Sequence, residues 1–266
     1  MSQSLHMIDN LHALLQGLHL KGMKESFQSL AEEEALPPIP YLYELCQREQ
    51  ESRTHKRIQS LLKKAHLPRH KTIEEFDFKR VPDLHPGKIQ RLCEGDFIDR
   101  LENLLIFGNP GTGKTYLAIG FAKEWCLRGR RVFYTTAAQL VQHLLQAKKS
   151  LTFDKFIKKM DSFEVLIIDD ISYVPYEKQE MDVLFLLLSE RYEQRSILIT
   201  SNLVFSNWNQ IFKDEITTTA AIDRLVHHAT ILELNAHSYR MEVAQNKEHF
   251  PKNQKNKSAK GDTKMT

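Results

Sequence analysis

The sequence predicts an α/β fold, a parallel sheet sandwiched by helices, with a small all-α domain ahead of it. Five short apolar runs carry the sheet: 103-NLLIF-107, 132-VFYTT-136, 164-EVLIIDD-170, 196-SILIT-200 and 230-TILEL-234. They are continuous rather than alternating, as strands buried on both faces must be, and helix-length stretches such as Lys114 to Leu127 and Glu177 to Tyr192 separate them. A glycine-rich stretch, 108-GNPGTGKT-115, stands between the first run and a helix.

The first part of the chain reads differently. Ile8, Leu11, Leu15 and Leu18 recur at helical spacing, as do Met23, Phe27 and Leu30, and Pro37-Pro38-Ile39-Pro40 punctuates before another amphipathic stretch. Residues 5–70 are therefore expected to be helical. A linker containing Pro68, Pro82, Pro86 and Gly87 follows and carries Phe76 and Phe78. Two roles stay open for that aromatic pair, walling a base or packing in the core. The expected division is a helical domain over 1–71 for self-association or partner contact, an α/β domain over 72–248, and a basic disordered tail over 249–266.

Composition bounds the function classes. A chain of 266 residues, 41% of them apolar, can bury a real core as one large domain or two modest ones. The longest unbroken apolar run, Val183 to Leu188, is far below the roughly 20 residues a membrane span requires. The N-terminal MSQSLHMIDN has no charged-then-apolar signal pattern, so a cytoplasmic protein without membrane contact is expected. Cys46, Cys93 and Cys126 lack metal-ligand or C-x-x-C spacing and read as inert thiols. His227 and His228 would point apart on a helix, and Pro68 interrupts His66 and His70, which argues against a histidine metal site. The net charge of +3 says little about nucleic acid, but basic residues gather in 53–71, 148–159 and the tail. Such runs are most often solvated surface.

The pattern G-x-x-x-x-G-K-[ST] after a strand and before a helix is a phosphate cradle. Its glycines allow close backbone approach, and amides at the helix start meet the phosphates. Lys114 reaches the β and γ groups, and the Thr115 hydroxyl ligates Mg²⁺. The run 165-VLIIDD-170 ends a strand in two carboxylates, the Walker B pattern. Asp169 is expected to hold Mg²⁺ through water, and Asp170 to orient or deprotonate an attacking water. The stretch 197-ILITSN-202 delivers Thr200, Ser201 and Asn202 to the same sheet edge, where an amide can hold that water. Taken alone, Ser-Asn after a strand is more often a helix cap. Arg224, in 220-AAIDRLVHHATILEL-234, reads either as a surface ion pair or as an arginine acting on a neighbouring subunit's nucleotide.

The motifs G-N-P-G-T-G-K-T, V-L-I-I-D-D, I-T-S-N, A-A-I-D-R-L-V-H-H and S-Y-R, in that order, resemble the AAA+ ATPases of the IstB type. These are helper ATPases of one insertion-sequence family, similar to the DnaC helicase loaders and more distantly to the DnaA initiator. The resemblance covers about 72–245, and the N-terminal helical domain also resembles that family's. It implies a P-loop AAA+ sheet with a reduced C-terminal lid, and the strand ending at Thr200 lying between those ending at Phe107 and Ile168. It implies ATP and Mg²⁺ as cofactors, with ATP held by Gly108, Asn109, Pro110, Gly111, Thr112, Gly113, Lys114, Thr115, Tyr116 and a sensor 2-like Arg240. Asn202 becomes sensor 1 and Arg224 the trans-acting box VII arginine, while Asp170 stands where most AAA+ proteins carry glutamate.

The activity implied is ATP-dependent assembly into an oligomer on double-stranded DNA without sequence specificity, delivery of that site to a cognate transposase, and hydrolysis for release. Lys148, Lys149, Lys155, Lys158 and Lys159 are candidate phosphate contacts, since clustered lysines supply sequence-neutral affinity. The main alternative is a DnaC-like helicase loader, which shares every ATP-site residue and differs in its partner. A small-molecule kinase needs an arginine-bearing lid that the short stretch after Leu234 does not supply. A nucleotide-gated adaptor would bind ATP with little turnover.

Overall fold

A computed structural model describes residues 2–33, 36–68, 71–172, 177–208, 211 and 215–242. The tail expected over 249–266 lies outside them, as does His70. Three helices come first: α1 (Ser2–Gly17), α2 (Lys21–Glu33) and α3 (Pro38–Lys64). Pro38 sits in the first turn of α3, where its missing N–H has no partner to lose. Short helices α4 (Pro86–Glu94) and α5 (Asp96–Asp99) then lead into alternating strands and helices. These are β1 (Asn103–Gly108), α6 (Lys114–Leu127), β2 (Val132–Thr136), α7 (Ala137–Lys149), α8 (Phe153–Asp161), β3 (Val165–Asp169), α9 (Lys178–Arg191), β4 (Ser196–Ser201), α10 (Glu215–Val226) and β5 (Ala229–Leu234).

The strands form one parallel sheet in the order β2-β3-β4-β1-β5. The strand ending near Thr200 thus lies between those ending near Phe107 and Ile168, as the resemblance implies. Parallel neighbours bring their C-terminal ends to one edge, which is where α/β folds build sites. Both faces of the sheet are buried, which explains the unbroken apolar runs. Leu104, Ile106, Ile167 and Leu198 face α6 and α4, whereas Leu105, Phe107, Leu166, Ile168 and Ile199 face α7, α9 and α10. Trp125, fully buried, donates its indole N–H to the Leu92 carbonyl at 2.7 Å and so pins α6 to α4.

Local capping follows the sequence. Glu177 and Glu180 form a reciprocal capping box at the start of α9, and Thr136 accepts from the Gln139 amide at the start of α7. Arg191 is fully buried at the end of α9 and donates to the carbonyls of Met160, Phe163 and Ser196 at 2.8, 3.1 and 3.0 Å. Burial pushes the pKa of its guanidinium down to about 10, so three carbonyls, with Asp161 at 3.6 Å, offset its desolvation.

The helical layer has its own small core of Leu15, Phe27, Leu30 and Leu45. The far end of α3 leaves it: Leu61 and Ala65 pack into the core of the sheet, and the Ala65 carbonyl accepts from the amide of Tyr134 at 2.9 Å. This bond covers part of the outer edge of β2, which would otherwise expose unpaired backbone groups. Among the described residues no helix is long and apolar enough to cross a membrane.

Candidate nucleotide-binding site

The loop after β1 turns on glycine. Gly113 has φ +104 at the entry to α6, and a Cβ there would lie 2.8 Å from the Phe76 ring. Gly111 has φ +83, and a Cβ there would run into the Ser238 hydroxyl. The glycines therefore permit two distant segments, the linker before α4 and the strand-exit segment after β5, to close on the loop. A cleft of about 370 Å³ results, with residues 110–116 as floor, Phe76, Arg80 and Val81 on one wall, and His237, Tyr239 and Arg240 on another.

Lys114 is 7% exposed, and its ammonium donates to the Gly108 carbonyl at 2.8 Å, to the Asn109 carbonyl at 3.0 Å and to Asn202 Oδ1. Burial lowers its pKa, while Asp170 and Asp169 pull the other way. Asn202 also donates through Nδ2 to Asp170 Oδ1 at 3.1 Å, so one amide spans the lysine and the second Walker B carboxylate. The sequence-predicted Lys114, Asp170 and Asn202 thus meet at one point.

Asp169 is held by three hydroxyls. Thr115 and Thr200 donate to Oδ1 at 3.0 and 2.6 Å, and Tyr134 donates to Oδ2 at 2.6 Å. Burial and this carboxylate raise the pKa of the Tyr134 phenol. Asp170 leaves the strand with φ +61, and its amide donates to Thr200 Oγ1 at 2.8 Å, which secures an uncommon backbone conformation. The pKa of its carboxyl is raised above the ordinary range first by burial and then by Asp169 beside it, against the pull of Lys114 and Arg240. Thr115 and Asp169 together offer hard oxygen donors side by side, which fits Mg²⁺.

Other predicted residues lie elsewhere. Arg240 and Tyr116 line the cleft, Arg240 exposed and Tyr116 donating to Glu75 at 3.1 Å. Arg224 is outside it, stacked 4.8 Å over Phe185 of α9 and bonded to the Ala220 carbonyl. Lys148, Lys149, Lys155, Lys158 and Lys159 are all exposed at the end of α7 and along α8. Phe76 packs against the core and also lines the cleft, whereas Phe78 packs against the core.

His227 and His228 do not point apart as on a helix. Helix α10 ends at Val226, so the two rings lie 4.1 Å apart in a turn and both approach Glu193. Sequence reasoning does not single out Tyr134, which an apolar strand disguises as core. Nor does it single out Arg80, which lies in the linker yet bonds Glu242 at 2.6 Å and stacks over Tyr239, a pairing with no local signal.

The sequence profile described as IstB-like ATP binding protein matches residues 13–247. The chain belongs to the IstB-like ATP-binding protein family. A relative in Sinorhizobium fredii named for insertion-sequence ATP binding is 41% identical over 226 residues, 85% of this chain and 76% of its own length. Relatives named for insertion sequences IS21 of Pseudomonas aeruginosa and IS5376 of Geobacillus stearothermophilus are each 36% identical, covering 87% and 93% of this chain and 88% and 100% of their own. Among solved structures, AMPPCP-bound DnaA from Aquifex aeolicus aligns with a TM-score of 0.54 at 21% identity over 72% of this chain, and this chain spans 58% of that one. DnaI aligns at 0.51 and 20% identity over 64% of this chain and 90% of its own. The fold of this IstB-like chain is accordingly that of the AAA+ P-loop proteins, and its resemblance to that group rests on fold as well as motif.

Proposed function

We propose that this IstB-like protein is an ATPase that assembles on double-stranded DNA in the cytoplasm and presents that DNA to a partner transposase. The observation that supports hydrolysis best is the single Asn202 amide joining Lys114 to Asp170. A cation for the phosphates, a carboxylate for water and an amide able to sense both stand at one end of the cleft. Lys114 with the amides of residues 111–115 would bind the β and γ phosphates, and Asn202 and Asp170 would orient water. Thr115 and Asp169 would hold Mg²⁺, which when bound supplies charge neutralisation for the phosphates. Arg240, at the cleft rim, would contact the nucleotide from the segment after β5.

Arg224 lies outside its own chain's cleft, so its proposed place is at a neighbour's γ-phosphate. Arg224→Ala is expected to leave nucleotide affinity within about twofold while DNA-stimulated hydrolysis falls by roughly 10³-fold, the scale of an arginine supplied in trans. Titration of nucleotide and a phosphate-release assay check this; an equal loss of basal activity in monomers would place the arginine in a structural role.

The five exposed lysines on α7 and α8 are proposed to neutralise DNA phosphates. Changing all five to glutamine should reduce the steepness of log affinity against log salt by up to about 4.5, near 0.9 for each phosphate no longer neutralised. An unchanged slope in a fluorescence-anisotropy salt series would remove these lysines from the interface. The whole reading is tested by gel shifts on plain duplex and single-stranded DNA with ATP or ADP. Duplex binding that needs ATP and ignores sequence is the expected result, and a preference for single strands would indicate a helicase loader.

A further inference from the structure

Tyr134 has two ends with different duties. It is the central residue of β2, 8% exposed, and belongs to the same buried core as Leu61 and Ala65. Its amide donates to the Ala65 carbonyl just past the end of α3, and its hydroxyl donates to Asp169 Oδ2 at 2.6 Å. A core tyrosine usually places its hydroxyl wherever a partner is convenient. Here the partner is the carboxylate that also receives Thr115 and Thr200.

The three donors divide the carboxylate. Thr115 and Thr200 share Oδ1, while Oδ2 has Tyr134. Thr115 lies on α6 and Thr200 on β4, so Tyr134 is the donor that comes from the edge strand β2, held from behind by α3. Without it, rotation of the carboxylate about its Cβ–Cγ bond would be checked on the Oδ1 side alone. We propose that Tyr134 is a positioning residue for the metal-holding carboxylate Asp169, fixing Oδ2 to β2 so that Oδ1 is presented beside the Thr115 hydroxyl.

Partners of this kind behind a metal-ligating group typically change metal affinity about 10- to 100-fold. The inference rests on the nucleotide reading above and concerns which of this chain's own groups sets the carboxylate's orientation. Tyr134→Phe keeps the ring, its packing and the amide bond to Ala65, and deletes the hydroxyl alone.

The test titrates Mg²⁺ into the full chain with a fluorescent N-methylanthraniloyl-ADP and follows nucleotide binding rather than turnover, alongside a titration of the nucleotide in EDTA and a thermal melt without ligand. For Tyr134→Phe, the Mg²⁺ concentration at half-effect is expected to rise by about 10- to 100-fold, with metal-free nucleotide affinity unchanged. An unchanged Mg²⁺ midpoint overturns the proposal, and so does a parallel loss of metal-free affinity, which would show a general disturbance of the cleft. A variant that does not fold overturns it as well, because the hydroxyl would then support the core instead of orienting one side chain. If the wild-type chain itself binds no nucleotide, the ATPase reading and this inference fail together; if only the variant's Mg²⁺ midpoint fails to move, this inference falls alone.

Discussion

Lys114→Ala is expected to weaken ATP binding by at least about 100-fold in calorimetric or fluorescence titration. Two charge-assisted hydrogen bonds to phosphate oxygens, each worth about 1.5–3 kcal/mol, give this scale when converted to affinity. The ammonium is well placed to make them, because it is buried under the loop that forms the cleft floor. Its present acceptors are the carbonyls of Gly108 and Asn109 and the amide of Asn202, so alanine also removes a donor from the loop. A thermal melt therefore accompanies the titration. If the melt moves little while ATP affinity collapses, the cation acts on the nucleotide. If ATP-supported assembly on DNA persists at normal nucleotide concentrations, the proposed phosphate site is wrong.

The sheet is legible in the sequence because both of its faces are buried. Five apolar runs need no alternation to be strands, and their bounds shift by only a residue or so, as at Asp169 and Ser201. The phosphate loop is legible because its glycines answer a steric demand that the structure displays at Gly111 and Gly113. Lys114 is visible in the loop after one strand, Asp170 and Asn202 at the ends of two others, and parallel topology alone brings strand ends together. What stays hidden depends on side chains meeting across long stretches of chain. Tyr134 looks like core until its hydroxyl is seen on Asp169, and Arg80 looks like linker until it reaches Glu242. The pairing of His227 with His228 escapes the periodicity argument because the helix stops at Val226, one residue before them. The join between helical layer and sheet is equally hidden, since Leu61 and Ala65 pack into the sheet's core and the Ala65 carbonyl finds the edge of β2, all far from the strands in sequence.

Asp170→Asn is expected to lower hydrolysis by about 10²- to 10⁴-fold while ATP affinity holds or tightens. The substitution is close to isosteric, and asparagine tolerates the left-handed conformation that the backbone adopts at φ +61, so the fold should be spared. The Thr200 hydroxyl still receives the backbone amide, and the Asn202 amide can still find an oxygen at position 170. What disappears is a half-buried negative charge beside Asp169, which repels phosphate in the ground state and serves as proton acceptor in the proposed reaction. Removing it separates the two duties that Walker B carboxylates share. Loss at Asp169 should weaken Mg²⁺-dependent nucleotide binding, whereas loss at Asp170 should leave ATP bound and uncleaved. In the DNA gel shift the Asp170→Asn complex should then outlast the wild-type complex after excess ATP is removed. Equal decay of the two complexes, with hydrolysis reduced only in proportion to ATP affinity, would mean that Asp170 serves the binding of nucleotide and that the attacking water is activated elsewhere.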